Sequence, residues 1–458
     1  MANFPDSSLA VTSFNASVVA SIQDRTLQRV FRDALYPRLL FRMEAVAEMW
    51  PVNLGANQTF TRAGLITPTT RPLQPGNDPV PVSYGIEQWE ATAQQWASTI
   101  DTSMPTSYVT LASQYLRNMH QLGLHSGQSL NRVVRDKLFN CYVAGNTVVK
   151  AGGVGAGTSV PVVNLAGFTR KLFNGRPTPV SVANPIAISI TGGYVGLVTG
   201  FTSDIPGDEI HGGTLTVTPA VGVLAGRESV LADNRSRLVY AGGGTSVDAI
   251  SAVDAFTLAD VRASVAQLRY DNVPTHEDGT YHCHFDPISE SQIFGDNEFQ
   301  RLNQSIPDYI HYRRFAVAML LGCTFYQNTE SPTLATVSED PTNGFTTGFE
   351  LVNATAVPIH RPIFTGQGAV EEKYLDESRY ISEAGIQGKI GEFSVVNGGV
   401  QVMTERIRLI LRAPLDRLQQ QTSASWSFSG DWAIPTDVTA LSSPAAFKRA
   451  VVVVHGST

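Results

Sequence analysis

Two histidines flank a cysteine in the run His282-Cys283-His284, with Asp286 two residues on and His276-Glu277-Asp278 just upstream. On a strand, residues at i and i+2 point to one face, so His282 and His284 could hold a divalent cation while Cys283 faces the other way. A metal enzyme needs a third ligand and an acid or base beside it, and the neighbouring sequence identifies neither. Paired side chains on a half-buried strand are the stronger reading. The run Gly152-Gly153-Val154-Gly155-Ala156-Gly157-Thr158-Ser159 has the glycine density of a phosphate cradle. It lacks the Lys that meets the β- and γ-phosphates, and Pro161 with β-type sequence follows where a dinucleotide fold would start a helix. A hinge accounts for it better. Neither a G-x-S-x-G elbow nor an H-E-x-x-H pair occurs. Arg313-Arg314 and the group Arg406, Arg408 and Arg412 offer cations to DNA, but Glu405 and Asp416 beside the latter favour ion pairing. These residues point to no catalytic, cofactor or metal site, and to a chain that is not an enzyme.

The bulk figures agree. Charged residues make up 16% of the 458-residue chain, against about 25% in ordinary soluble domains. A surface short of charge is often covered by other protein. The formal charge of −7 argues against a protein that grips nucleic acid through counterion release, while leaving a container for it open. Cys141, Cys283 and Cys323 are odd in number and far apart, which fits a reducing cytoplasm. Met1 to Ala10 shows no secretory pattern, and no apolar run is long enough for a membrane span.

The elements that must position these residues follow from periodicity. Val19, Ile22, Leu27, Val30 and Phe31 recur at near-helical intervals before Pro37. Gln58 to Arg62 alternates, as does Gln88 to Asp101, where Trp89, Ala91 and Ala93 share one parity. Between them Pro68, Pro72, Pro75 and Pro79 prevent a regular ladder, so residues 51–105 read as a long two-stranded arm with an irregular tip. Such a ribbon is marginal in water alone, and a neighbouring subunit is the economical cover. Leu130, Val133, Val134, Leu138, Cys141 and Tyr142 form one helical stripe ending near Gly145. A pattern at Leu111, Tyr115, Leu116 and Met119 leads into it across Gly123 and Gly127.

Residues 151–245, bounded by glycine clusters, carry the β-type runs Val180–Val182, Ala187–Thr191, Val195–Thr199 and Gly213–Thr218 and read as a small inserted β module. Thr257 and Asp260 can cap a helix built on Leu258, Val261, Val265 and Leu268. Tyr281 to Phe285 reads as a strand, and Pro287 restarts a helical pattern through Ile293, Phe294, Phe299 and Leu302. Residues 315–326 combine a small apolar helix with the strand Cys323 to Tyr326. Pro362–Phe364, Phe393–Val396, Val400–Met403, Ile407–Leu411, Trp426, Trp432 and Val451–Val454 make the last third strand-rich. The class is α+β.

The order of these segments resembles the major capsid proteins of tailed bacteriophages, with the Hong Kong 97-like fold. Asp278-Gly279-Thr280-Tyr281-His282-Cys283-His284-Phe285-Asp286-Pro287 after Val273-Pro274 is similar to the podophage-type branch of that family. So are Phe294-Gly295-Asp296-Asn297-Glu298-Phe299, Arg361-Pro362-Ile363-Phe364-Thr365-Gly366-Gln367-Gly368-Ala369, Arg412-Ala413-Pro414-Leu415-Asp416-Arg417 and Pro444-Ala445-Ala446-Phe447. The likeness covers residues 1–150 in architecture and 250–458 in local sequence; the module at about 176–245 lies outside it.

The resemblance implies an N-terminal arm (1–50), an extended β-hairpin loop lying across the adjacent subunit (51–105), and a peripheral domain with the spine helix (106–150). It further implies the inserted module (151–245), an axial domain (246–370) and C-terminal strands completing both domains (371–458). It implies a homo-oligomer of pentamers and hexamers, an icosahedral shell enclosing packaged double-stranded DNA without sequence-specific binding. Scaffolding, portal and decoration proteins would be its partners, and no membrane or cofactor is involved. The product would be a virion component assembled in the host bacterial cytoplasm. Phe60, Arg62, Arg71, Leu73, Trp89 and Trp96 are the intersubunit contacts expected in the loop region. Rival readings are an encapsulin-like cellular shell and a metal-dependent enzyme using His282 and His284.

Overall fold

The computed structural model describes residues 26–35, 40–50, 55–103 (except 64–65, 67, 71, 74–75, 77, 80 and 85), 114–173, 176–206, 211–233, 235–303, 319–329, 357–376, 388–390, 393–396, 399–412, 418, 420–434 and 448–457. Its longest element is the helix Gln114–Tyr142. The two helical patterns of the sequence are one continuous helix through Gly123 and Gly127; Leu111 lies outside the described residues. Gly123 is required for space. A Cβ there would sit 2.5 Å from the Phe31 carbonyl oxygen and 2.9 Å from Ala34 Cβ, because the helix Thr26–Leu35 presses against it. Leu122, Leu130, Val134, Leu138 and Tyr142 form its buried stripe, and Gly145 ends the segment in the left-handed region.

The chain divides into two compact units. The first gathers Met1–Gln58, Glu90–Val134 and Glu371–Ala433. Its sheet runs in the order Ala45–Met49, Val370–Tyr374, Gln421–Ala433, Ile407–Arg412, Gly399–Thr404, Phe393–Val396, Gly388–Ile390. The long strand Gln421–Ala433 also pairs with Gln94–Ser103, in unbroken register from Gln421↔Ser103 to Gly430↔Gln94. Its inward residues Trp426, Phe428 and Trp432 are buried, and Trp96 adds its ring 5.2 Å from that of Trp432. Burial of apolar area is the main stabilising term here.

A group of linked charges sits inside this core. Arg42 donates from Nε and Nη2 to the two carboxylate oxygens of Glu372, each at 2.7 Å, and Arg406 Nη1 adds a bond at 3.1 Å. Trp432 Nε1 donates to the same carboxylate at 3.3 Å. Burial pushes Glu372 up, but the two guanidinium groups outweigh it and hold the carboxyl below the usual range. Removing one partner of a buried pair strands the other.

The second unit gathers Thr59–Trp89, Arg135–Val370 and Ile434–Thr458. Its mixed sheet has the order Leu238–Tyr240, Ala450–Gly456, Ile363–Thr365, Tyr281–Phe285, Cys323–Gln327, Met319–Leu320, and Ile359–His360 also lies beside Ala450–Gly456. Every residue of Ala450–Gly456 is buried, which is why that stretch reads as a continuous apolar run rather than an alternating one. The helix Leu258–Tyr270 opens with the reciprocal Thr257–Asp260 capping box anticipated from sequence. Asp286 accepts from the Ile288 amide, capping Pro287–Gly295, and Asn297–Asn303 follows. The apolar sides of these helices and the sheet share one core that includes Val261, Leu268, Phe285, Phe299 and Phe364.

The same unit contains an antiparallel six-stranded sheet with its own core: Asn146–Val148, Ser229–Ala232, Ile186–Ile190, Tyr194–Ser203, His211–Val221, Gly157–Asn164. Its two outer strands meet where Val149 bridges Val162, so the sheet closes on itself and hides both edges. Val180–Val182, expected as a strand, lies outside the ladder and leads into Ile186–Ile190. The glycine run expected as a hinge is built in: Gly152 and Gly153 make a left-handed turn, and Val154 exchanges two 2.9 Å bonds with Leu224. The cluster at 241–244 is likewise a packed turn, with Gly242 against the Asp254 carboxylate. Chain entry and exit coincide. Ser236 N donates to the Ala144 carbonyl at 2.9 Å, and Asn146 Nδ2 donates to the Ser236 carbonyl at 3.1 Å.

Two outcomes are expected. Arg42→Met should destabilise the chain by about 3–5 kcal/mol, read as a lower unfolding midpoint in denaturant, because Glu372 then keeps the half-exposed Arg406 as its cation and only the Trp432 indole beside it. Replacing residues 146–235 by a short Gly-Ser bridge should leave a chain whose remaining sheets melt within a few degrees of the parent; collapse of folding would show that the closed sheet is not self-contained.

Candidate functional site

The strands Asn57–Ala63 and Ile86–Thr92 pair with each other and, among the described residues, with nothing else. Their base is tied by Ala93 N donating to the Ala56 carbonyl at 2.8 Å. Phe60 lies 6.0 Å from Trp89, centroid to centroid, and Trp89 and Ala91 are buried. The expected strand from Gln88 to Asp101 breaks at Ala93. Up to Thr92 it belongs to the ribbon; from Gln94 it joins the large sheet of the first unit. The physical reason is that alternation marks a strand's faces but does not name the strand it pairs with.

This break sorts the expected contact residues. Phe60 and Trp89 pack on each other at the ribbon's base, and Trp96 packs inward on Phe428 and Trp432. Leu73 is exposed in the tip. Arg71 and the Arg62 side chain lie outside the described residues. The exposed apolar surface falls on residues the alternation did not single out. Ile66 (58%), Leu73 (60%), Val82 (50%), Tyr84 (48%) and Ile86 (42%) all stand open to solvent within one hairpin. The signal was present in the Pro81-Val82-Ser83-Tyr84 stretch, where large apolar side chains sit in a segment too proline-rich to fold back on itself. Covering five such side chains is worth several kcal/mol, at about 25 cal/mol per Å².

A second open feature lies in the first unit. Gln94–Ser103 is paired along one side only, and its outer edge carries no strand among the described residues. It has no proline, lysine or bulge, and Asp101 is its sole charge. Those are the devices by which sheet edges normally refuse partners. A regular edge of this kind accepts another strand through backbone hydrogen bonds.

The histidine run sits on Tyr281–Phe285 as expected, with its side chains engaged. His282 and His284 both stack or edge against Tyr326, at 5.1 and 5.4 Å, which places them on one face. Cys283 is buried on the other, where burial and the neighbouring Cys323 raise its thiol. His276 stacks on His282 at 3.9 Å, and His282 Nε2 meets Asp278 Oδ2 at 3.0 Å. Against the upward push of desolvation, Thr280 and His282 bring Asp278 down to about 2. One of the two ring nitrogens of His282 is thus bonded to a carboxylate. Among the described residues no helix is long and apolar enough to cross a membrane.

No family model matches the sequence, and no curated protein does. Among solved structures the chain is similar to the capsid of Ralstonia phage GP4, at 12% identity and a TM-score of 0.48, over 91% of this chain and 87% of that one. It is also similar to the cyanophage Pam1 capsid, at 10% identity and a TM-score of 0.47, over 93% and 92%. The mature capsid of bacteriophage PhiM1 follows at 8% and 0.42, over 90% and 86%.

Proposed function

We propose that this chain is the major capsid subunit of a tailed phage, acting by self-assembly rather than catalysis. The observation that carries the proposal is the ribbon: a two-stranded hairpin that presents Ile66, Leu73, Val82, Tyr84 and Ile86 exposed, followed in sequence by Gln94–Ser103, which among the described residues is paired along one side only. Neither feature is stable in water for its own sake, and a sister chain covers both without any further component.

The segment order supports the reading, since ribbon, long helix, mixed sheet and returning C-terminal strands follow one another as in the family that the sequence resembles. In that frame residues 51–105 lie across a neighbour, Gln114–Tyr142 is the spine, and residues 246–370 surround the five- and six-fold axes. The closed sheet at 146–232 projects from the outer surface. Contacts of this head-to-tail kind close into rings, and rings into a shell. The formal charge of −7 suits a wall that encloses DNA without gripping it. Scaffolding, portal and decoration proteins would be its partners, and assembly would take place in the host cytoplasm.

The double variant Leu73→Asp/Tyr84→Asp tests this. It should keep the parent's circular dichroism and melting midpoint, yet yield no shells or capsomer rings in negative-stain images and sediment as a small species. Normal particles from the variant, or a parent chain that stays monomeric under all conditions, would contradict the proposal.

A further inference from the structure

Two buried imidazoles meet where the strand Ala450–Gly456 pairs with Ile359–His360. His360 and His455 are direct partners in the ladder between Ile359–His360 and Ala450–Gly456, and neither ring reaches solvent. Their centroids are 5.1 Å apart with 16° between the planes, and Phe256 stacks on His455 at 5.4 Å. One carboxylate serves both rings. Asp286 places Oδ2 3.0 Å from His360 Nδ1, and its Oδ1 accepts from the Ser289 hydroxyl. Ser289 Oγ lies 2.7 Å from His455 Nε2. The Gly456 carbonyl oxygen, 3.2 Å from His455 Nδ1, can only accept, so that contact is a hydrogen bond when Nδ1 carries the proton. His360 Nε2 meets Ser457 Oγ at 3.0 Å.

The charges around the pair are few. From the helix Pro287–Gly295 and its cap come Asp286 and the buried Glu290; from the strand bearing His360 comes the buried Arg361, which acts on Tyr240. Among the described residues, Asp286 is the carboxylate that acts on His455. A proton added to His455 would place a charge on a ring stacked between His360 and Phe256, away from water.

We propose that His455, stacked on His360, forms an acid-operated catch on Ala450–Gly456: a proton on its buried ring is disfavoured, and the strand loosens from Ile359–His360 and from the Asp286 cap. The inference stands apart from the shell reading, since it concerns one sheet within a single chain. Its sign is fixed by the titrating groups. Burial first, and His360 second, push His455 from 6.5 down to about 4. The unfolded chain therefore takes up this proton before the folded one, so stability is full above the unfolded value and falls as pH drops from 6.5 towards about 4. Asp286, held low by His360 and Ser289 despite its burial, loses its contribution at still lower pH.

Hydrogen exchange on the full-length chain at about pH 7.5 and about pH 4.5, corrected for intrinsic rates, reads the catch directly. Protection of the 450–456 amides should fall about tenfold or more in acid, relative to the strand Ile407–Arg412. His455→Phe, which keeps the stack and removes the titration, should flatten that difference. Equal protection at both pH values, or an undiminished loss in His455→Phe, would overturn the proposal. Should that variant not fold, the ring resonances of His455 in the parent decide: a midpoint below about 5 supports the catch, and one near the free value of about 6.5 overturns it.

Discussion

A two-stranded ribbon cannot cover both of its own faces, and this constraint governs the rest of the molecule. At the base the chain solves the problem internally, with Trp89 and Ala91 buried and Phe60 packed on the indole. Further out, prolines remove ladder donors and fix extended backbone, so the tip cannot curl over its own apolar side chains. What is left is a surface that water disfavours, attached to an edge that carries none of the usual guards against pairing. Self-association is the proposal this surface supports, and the shell is the form of it that the segment order fits.

Distant parts of the chain meet within the first unit. Gln94–Ser103 is held along the strand Gln421–Ala433, the Thr92 amide donates to Asp431 at 3.0 Å, and the Arg42–Glu372–Arg406 group fixes the layer beneath. The buried ion group is a weak source of stability but a strong source of register, because any slip of the strands would leave a charge unpaired. The second unit is closed by its last strand in a similar way, with Ala450–Gly456 paired on both sides within its sheet.

Much of this was legible in the residues. Capping chemistry located the helix at Leu258 through Thr257 and Asp260, and apolar runs located Tyr281–Phe285, Ile407–Arg412 and Ala450–Gly456. These signals are local, so they survive without knowledge of the fold. Partner choice is not local. Gln94–Ser103 alternates as the ribbon does, and only its register with Gln421–Gly430 shows that it belongs elsewhere. Glycine misled for a related reason. The same freedom serves a hinge and a tight turn, and at Gly153 the deciding fact is the Leu224 carbonyl, 2.6 Å from where a Cβ would lie. At the candidate surface, Trp89 is buried and Trp96 half-buried, while Leu73 is exposed. The group formed by Asp286, Ser289, His360 and His455 was invisible, since its members are scattered along the sequence and only the closing strand brings them together.

The central claim is that the ribbon and the edge beside it are covered by a sister chain. Amide exchange across residues 55–103, compared between assembled particles and the same chain dissociated, measures that cover residue by residue. The account predicts slow exchange at 66–86 and along the outer edge of Gln94–Ser103 in particles alone. Exchange that is equally fast in both states, or equally slow in both, would contradict it.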